Sequence, residues 1–168
     1  MRSWLVFEGP IRQALHKLKY RGNIALGEAL AQQLVTYVGA LEWPVNVVVP
    51  VPLRKARMKE RGYNQVGMAA MPLASMLNWQ YEPKALVRFR ETRTQVGLSV
   101  AERKQNASGA FRGDPARMAG KTVLVMDDVA TTGATLLTCA DACLESGAKA
   151  VYALTLARAL PHHGLNIV

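Results

Sequence analysis

Apolar positions along the chain change their spacing several times, and each change marks an element. Pro10, Ile11, Ala14, Leu15 and Leu18 follow helical spacing behind an extended lead-in over residues 1 to 9, with proline suited to the first turn. The opposite face of that helix, Arg12, His16, Lys17, Lys19 and Arg21, reads as solvated and basic. Gly22 closes it, and Leu26, Leu30, Leu34, Tyr37 and Leu41 predict a second helix. Val45 to Val49 is a β-branched run that ends at Pro50-Val51-Pro52, where the chain must turn. A basic loop over residues 54 to 61 leads to a third helix from about Asn64 to Leu77, which Pro72 should kink or split.

The second half is patterned differently. Ala85 to Arg90 is a short candidate strand, residues 91 to 98 read as a mobile loop, and Ser99-Val100-Ala101-Glu102 forms a capping box for a short helix to about Asn106. Turn residues gather between Gly113 and Gly120. A buried strand is expected at Lys121 to Met126, and a helix near Ala134 striped by Leu136, Leu137, Ala140 and Leu144, with Gly147 as its C′ residue. Val151 to Leu156 reads as a further buried strand, completing a βαβ unit with a right-handed crossover.

The junction of that strand and helix carries the chemistry. Val123-Leu124-Val125-Met126 runs into Asp127-Asp128 and then Thr131-Thr132-Gly133-Ala134-Thr135. In open α/β sheets ligands bind beyond the C-terminal ends of the strands. Small and hydroxylated residues with one glycine let backbone N–H groups converge on an anion, and the helix start adds its positive dipole end. Vicinal ribose hydroxyls can donate to both carboxylates while a 5′-phosphate rests in the turn, so the run describes a site for a phosphorylated sugar. The chain contains neither a G-x-x-x-x-G-K-[ST] loop nor a G-x-G-x-x-G fingerprint.

At 168 residues with 50% hydrophobic content, the chain suits one domain with a sizeable core. The expected division is an N-terminal helical part over 1 to 44, an α/β core over 45 to 160 and a tail over 161 to 168. No apolar stretch approaches a membrane span or a signal peptide, which with the cysteine usage predicts a cytoplasmic protein. Cys139 and Cys143 fit buried apolar positions better than a zinc site or disulfide framework. The net charge of +9 makes polyanionic ligands or nucleic acid plausible partners.

Residues 123 to 135 resemble the phosphoribosyl pyrophosphate (PRPP) signature of type I phosphoribosyltransferases. Further motifs are V-P-V-P-L ending at Leu53, R-G-Y-N-Q at Arg61 to Gln65, R-T-Q at Arg93 to Gln95, L-S-x-x-x-R-x-x-N from Leu98 to Asn106, and Phe111. Together, over roughly residues 6 to 160, they are similar to the ComF/GntX family associated with competence and DNA utilisation. The resemblance implies an α/β fold with a parallel-sheet, Rossmann-like core and helices on both faces. It assigns Asp127 and Asp128 to the ribose, Ala130, Thr131, Thr132, Gly133, Ala134 and Thr135 to the 5′-phosphate, and Val51, Pro52, Leu53 and Arg54 to a pyrophosphate loop. Arg93, Thr94 and Gln95 match a flexible loop that closes over PRPP. Many such chains begin with a four-cysteine zinc module, and no cysteine precedes Cys139 here.

The implied reaction is displacement of pyrophosphate from C1 of PRPP, with Mg²⁺ carried on the substrate and no certain protein ligand for it. Asp127, Asp128 and Arg93 are the expected catalytic residues, and Arg54, assisted by Lys55 or Arg57, would stabilise the leaving group. No residue set identifies the acceptor. The alternatives are a non-catalytic PRPP- or nucleotide-sensing module and a single-stranded-DNA-binding accessory protein. Expected partners are accordingly PRPP, an unassigned acceptor, single-stranded DNA or competence proteins, and a second copy of the chain.

Overall fold

Two apolar clusters lie on either side of a parallel sheet, and the sequence periodicity explains how they separate. The computed structural model describes residues 1–89 and 109–160. In chain order these form β1 (Arg2–Val6), α1 (Gly9–Arg21), α2 (Ile24–Gly39), β2 (Val47–Pro50), α3 (Lys55–Arg61), α4 (Gly67–Met76) and β3 (Gln80–Tyr81). After them come β4 (Leu86–Arg88), β5 (Phe111–Gly113), α5 (Pro115–Met118), β6 (Thr122–Ala130), α6 (Ala134–Glu145) and β7 (Ala150–Arg158).

The main sheet has the order β1-β7-β6-β2-β3 with every pair parallel. Strands buried on both faces divide their side chains by alternation. Val48, Leu124, Met126, Leu154 and Leu156 join one cluster with Leu15 and Leu18 of α1, Ala31, Leu34 and Val38 of α2, and Leu73 of α4. Val47, Val49, Val123, Val125 and Ala153 join the other with Leu136, Cys139 and Cys143 of α6, Met118 of α5 and Phe111 of β5. The expected α/β architecture, a parallel core with helices on both faces, is what this layering shows. Because β1 is a sheet strand, residues 1 to 44 supply more than the expected extended lead-in and helices.

Order and connection together locate a crevice. From β2 the chain passes through α3 and α4 to β3 on one side, and from β6 through α6 to β7 on the other, while β2 and β6 are neighbours. The sheet therefore switches direction between them, opening space beyond their C-terminal ends.

Local expectations fare unevenly. α1 starts with Pro10 in its first turn and ends at Gly22, which is left-handed at φ 56. α2 is capped by Asn23, whose side chain accepts from the Leu26 amide, and its buried stripe is Gly27, Ala31, Leu34 and Val38. The predicted leucine phase is shifted by about one position, because close approach to α4 favours the small residues Gly27 and Ala31 at the contact. The basic stretch expected as a loop forms α3, with no buried residue. α4 begins later than predicted and continues through Pro72 without a break. β4 pairs antiparallel with β5 in a separate two-stranded sheet instead of joining the main one. In α6 the buried face is Leu136, Thr138, Cys139, Ala142 and Cys143, while Leu137 and Leu144 are exposed. Both cysteines are buried free thiols, as expected. The predicted loop at 91 to 98, the helix opened by the capping box and the 161–168 tail lie outside the described residues.

Candidate functional site

β6 extends past its predicted end at Met126 to Ala130, so both acids sit within the strand, Asp127 paired with Thr155 of β7. Immediately afterwards Gly133 takes φ 81 as the N-cap of α6, a conformation open to glycine at little cost. Thr132 Oγ1 accepts from the Ala134 amide at 3.4 Å, and the first helical bond is Leu137 N–H to the Gly133 carbonyl. The amides of Thr135 and Leu136 thus have no acceptor within the helix, as the first turn of any helix requires. Asp127, Val129, Ala130 and residues 131 to 136 line an open cleft at this point. Its lining contains no basic side chain. An anion there meets backbone N–H groups, threonine hydroxyls and the α6 dipole.

The two acids have different surroundings. Asp127 lines the cleft, whereas Asp128 is buried and does not. Asp128 Oδ2 lies 3.0 Å from Lys19 Nζ and accepts from Gln65 Nε2 at 3.1 Å, while its Oδ1 accepts from the Val129 amide at 2.7 Å. The Asp128 amide in turn donates to Asp127 Oδ1 at 2.8 Å. Burial and, after it, the adjacent Asp128 charge push the Asp127 carboxyl up to about 7. The Asp128 amide and the Lys19 ammonium act in the opposite direction, and protonated Asp127 has Asp128 as an acceptor.

The R-G-Y-N-Q segment braces this strand end. Asn64 Nδ2 donates to the Val51 carbonyl at 2.9 Å, and the Val51 amide donates to the Met126 carbonyl at 2.8 Å, which ties the predicted pyrophosphate loop to β6. Tyr63 places its hydroxyl 3.0 Å from the carbonyls of Leu18 and Lys19, and its ring packs against Gly22. Arg61 donates from a guanidinium N–H to Gln65 Oε1 at 2.9 Å and lies over the Tyr20 ring.

Of the predicted site residues, Asp127, Ala130, Thr131, Thr132, Gly133, Ala134 and Thr135 converge on the cleft. Val51 adjoins Met126, but Val51, Pro52, Leu53 and Arg54 are not in the cleft wall. Arg93, Thr94 and Gln95 lie outside the described residues. Lys19 departs from the solvated face assigned to it, since it pairs with Asp128. Sequence spacing missed Lys19 and Gln65 as neighbours of the acids; the only signal was the R-G-Y-N-Q motif itself. Among the described residues, no three His, Cys, Asp or Glu side chains converge to hold a metal ion, and no helix is long and apolar enough to cross a membrane.

No family model matches the chain. The chain is 34% identical over 157 residues to DNA utilization protein YhgH of Escherichia coli (strain K12), covering 90% of this chain and 68% of that protein. It is 29% identical over 158 residues to competence protein F of Haemophilus influenzae, covering 89% of this chain and 69% of the relative. Among solved structures it is similar to glutamine PRPP amidotransferase from B. subtilis complexed with ADP and GMP, with a TM-score of 0.50 and 25% identity. That likeness covers 84% of this chain and 26% of the larger one, so the present chain spans about a quarter of it.

Proposed function

The chain belongs to the ComF/GntX family and carries the phosphoribosyltransferase fold; from that premise we propose that it is a phosphoribosyltransferase that binds PRPP with Mg²⁺ and displaces pyrophosphate from C1. One observation carries the reading: the free first-turn amides of α6 and the Asp127 carboxyl share one cleft at the C-terminal end of β6. The amides and threonine hydroxyls receive the 5′-phosphate, and Asp127, close to Asp128, receives the ribose hydroxyls.

Displacement breaks the C1–O bond to pyrophosphate as the acceptor nucleophile bonds to C1. Positive charge develops on the sugar and negative charge on the leaving group. The cleft lining, which holds no basic side chain, offers little to balance pyrophosphate, which suits a substrate that arrives with its own Mg²⁺. Arg54, three residues beyond Val51, with Lys55 and Arg57, supplies cations on the β2 side. Arg93, Thr94 and Gln95 are the segment proposed to close over the sugar and exclude water. Buried, free thiols accord with a cytoplasmic setting.

Calorimetry with Mg·PRPP tests binding, and release of pyrophosphate in the presence of an acceptor library tests catalysis. Binding that is lost in Asp127→Asn supports the site; equal binding by that variant rejects it.

A second reading draws on the surface. Arg12, Lys17, Arg21, Lys55, Arg57 and Lys59 are all exposed, on two helices that meet where Arg61 lies over Tyr20. Exposed cations on two neighbouring helices suit single-stranded DNA, in keeping with the names of the relatives. Affinity for labelled single strands should then fall steeply with salt.

A further inference from the structure

We infer that Lys19 and Gln65 are positioning residues of the ribose-phosphate site: acting through Asp128, they fix which acid of the adjacent pair faces the cleft, and with it how the sugar is held. The inference rests on the function proposed above and extends it to residues on α1 and in the segment before α4.

The geometry forms a chain of directed contacts. Gln65 is 4% exposed and has both ends of its amide engaged, Oε1 by Arg61 and Nε2 by Asp128. Its orientation is therefore set: a reversed amide would present an acceptor to a carboxylate. Lys19 approaches the same Asp128 oxygen from the last turn of α1, and Tyr63 fixes that turn through the Leu18 and Lys19 carbonyls. Held on Oδ2 by these two and on Oδ1 by Val129, Asp128 cannot turn into the cleft without abandoning its partners. Its amide, fixed with it, binds Asp127 Oδ1 and holds the neighbouring carboxyl at the cleft wall.

Fold stability alone is a weak reason for this arrangement. The Lys19 side chain is 29% exposed, so its ion pair is screened, and a whole buried polar cluster can be exchanged for well-packed apolar groups at little cost, although removing one partner alone leaves Asp128 less well compensated. The cluster sits instead at the strand end where the proposed substrate binds. Charged groups acting on Asp127 come from two elements, Asp128 on its own strand and Lys19 on α1, while the Cys139 thiol on α6 is itself raised by the Asp127 charge and lowered by Arg88 on β4. Lys19 is the cation among them that favours ionised Asp127.

The test measures Mg·PRPP binding to wild type, Lys19→Met, Lys19→Arg and Gln65→Met from about pH 5.5 to about pH 8.5, with thermal melting to verify folding. Gln65→Met and Lys19→Met should each weaken binding by roughly tenfold while melting as cooperatively as wild type. Lys19→Met should also move the rise of binding to higher pH, and Lys19→Arg should restore both affinity and midpoint. A purely structural cluster would lower melting without moving the pH midpoint. Wild-type affinity and an unshifted midpoint in both methionine variants would overturn the inference. If wild type binds no Mg·PRPP, the function reading itself fails. The coupling is then judged from the ¹³C carboxyl titration of Asp127, which must rise in Lys19→Met; an unmoved titration overturns it independently.

Discussion

Gly27 of α2 lies against the Met68 carbonyl of α4, so closely that a Cβ on Gly27 would stand 2.5 Å from the oxygen. Pro72, four residues on, has no N–H to offer that carbonyl, so α4 tolerates its internal proline where a neighbouring helix packs backbone to backbone. Gly27→Ala should cost about 1–3 kcal/mol through overpacking, despite alanine's better helix propensity. The check is a lower urea midpoint at unchanged m-value. Gly39→Ala, with open space at the end of the same helix, is the control and should be about neutral.

Asp127 makes the fold less stable as pH rises. Its folded carboxyl holds its proton to about 7, while in the unfolded chain it ionises near the ordinary value of 3.8. Between these values the native state binds the extra proton, so this group's contribution is fully present below the lower value and is lost as pH climbs through the higher. Asp127→Asn should match wild type at about pH 4 and melt higher at about pH 8, the difference growing by at most about 1.4 kcal/mol per pH unit. Identical pH profiles for the two proteins would contradict the assignment. The same substitution should abolish Mg·PRPP binding, trading ligand for stability.

Both thiols should be inert in the native protein. Burial raises Cys139 and pushes Cys143 up to about 12, and Cys139 also feels the Asp127 charge. A chromogenic disulfide reagent should react negligibly with folded protein and with both thiols in denaturant. Rapid reaction of the native state would show that α6 does not pack on the sheet as described.

Gly133 holds φ 81 between the threonines and α6. Gly133→Ala should cost roughly 1–2 kcal/mol, because L-residues resist the left-handed region. The amides of Thr135 and Leu136 would shift with the loop, so Mg·PRPP affinity should fall by roughly tenfold or more in calorimetry. Undiminished affinity would remove the loop from the phosphate site.

The sequence made some of this legible and not the rest, for identifiable reasons. Val123 to Met126 and Val151 to Leu156 were readable as buried strands because both faces of a parallel sheet are covered and the apolar run is unbroken. The Thr131–Thr135 turn was readable because anion binding by backbone needs small residues and a glycine. Leu137 and Leu144 misled because hydrophobicity alone cannot choose between faces when Cys139, Ala142 and Cys143 are also apolar. Lys19 was hidden for a different reason: it meets Asp128 across 109 positions of sequence, and nothing local records a tertiary ion pair. Adjacent aspartates likewise read as equivalent, although their neighbours on other elements make one a cleft wall and the other a buried hub.

β6 is flanked along its length by β7 and, over its first half, by β2, with a packed layer above and below. Amides so enclosed exchange with solvent only when the whole molecule opens. A recognition site anchored at the end of that strand loses its footing when the strand opens, so heat should extinguish ligand capture no later than tertiary order.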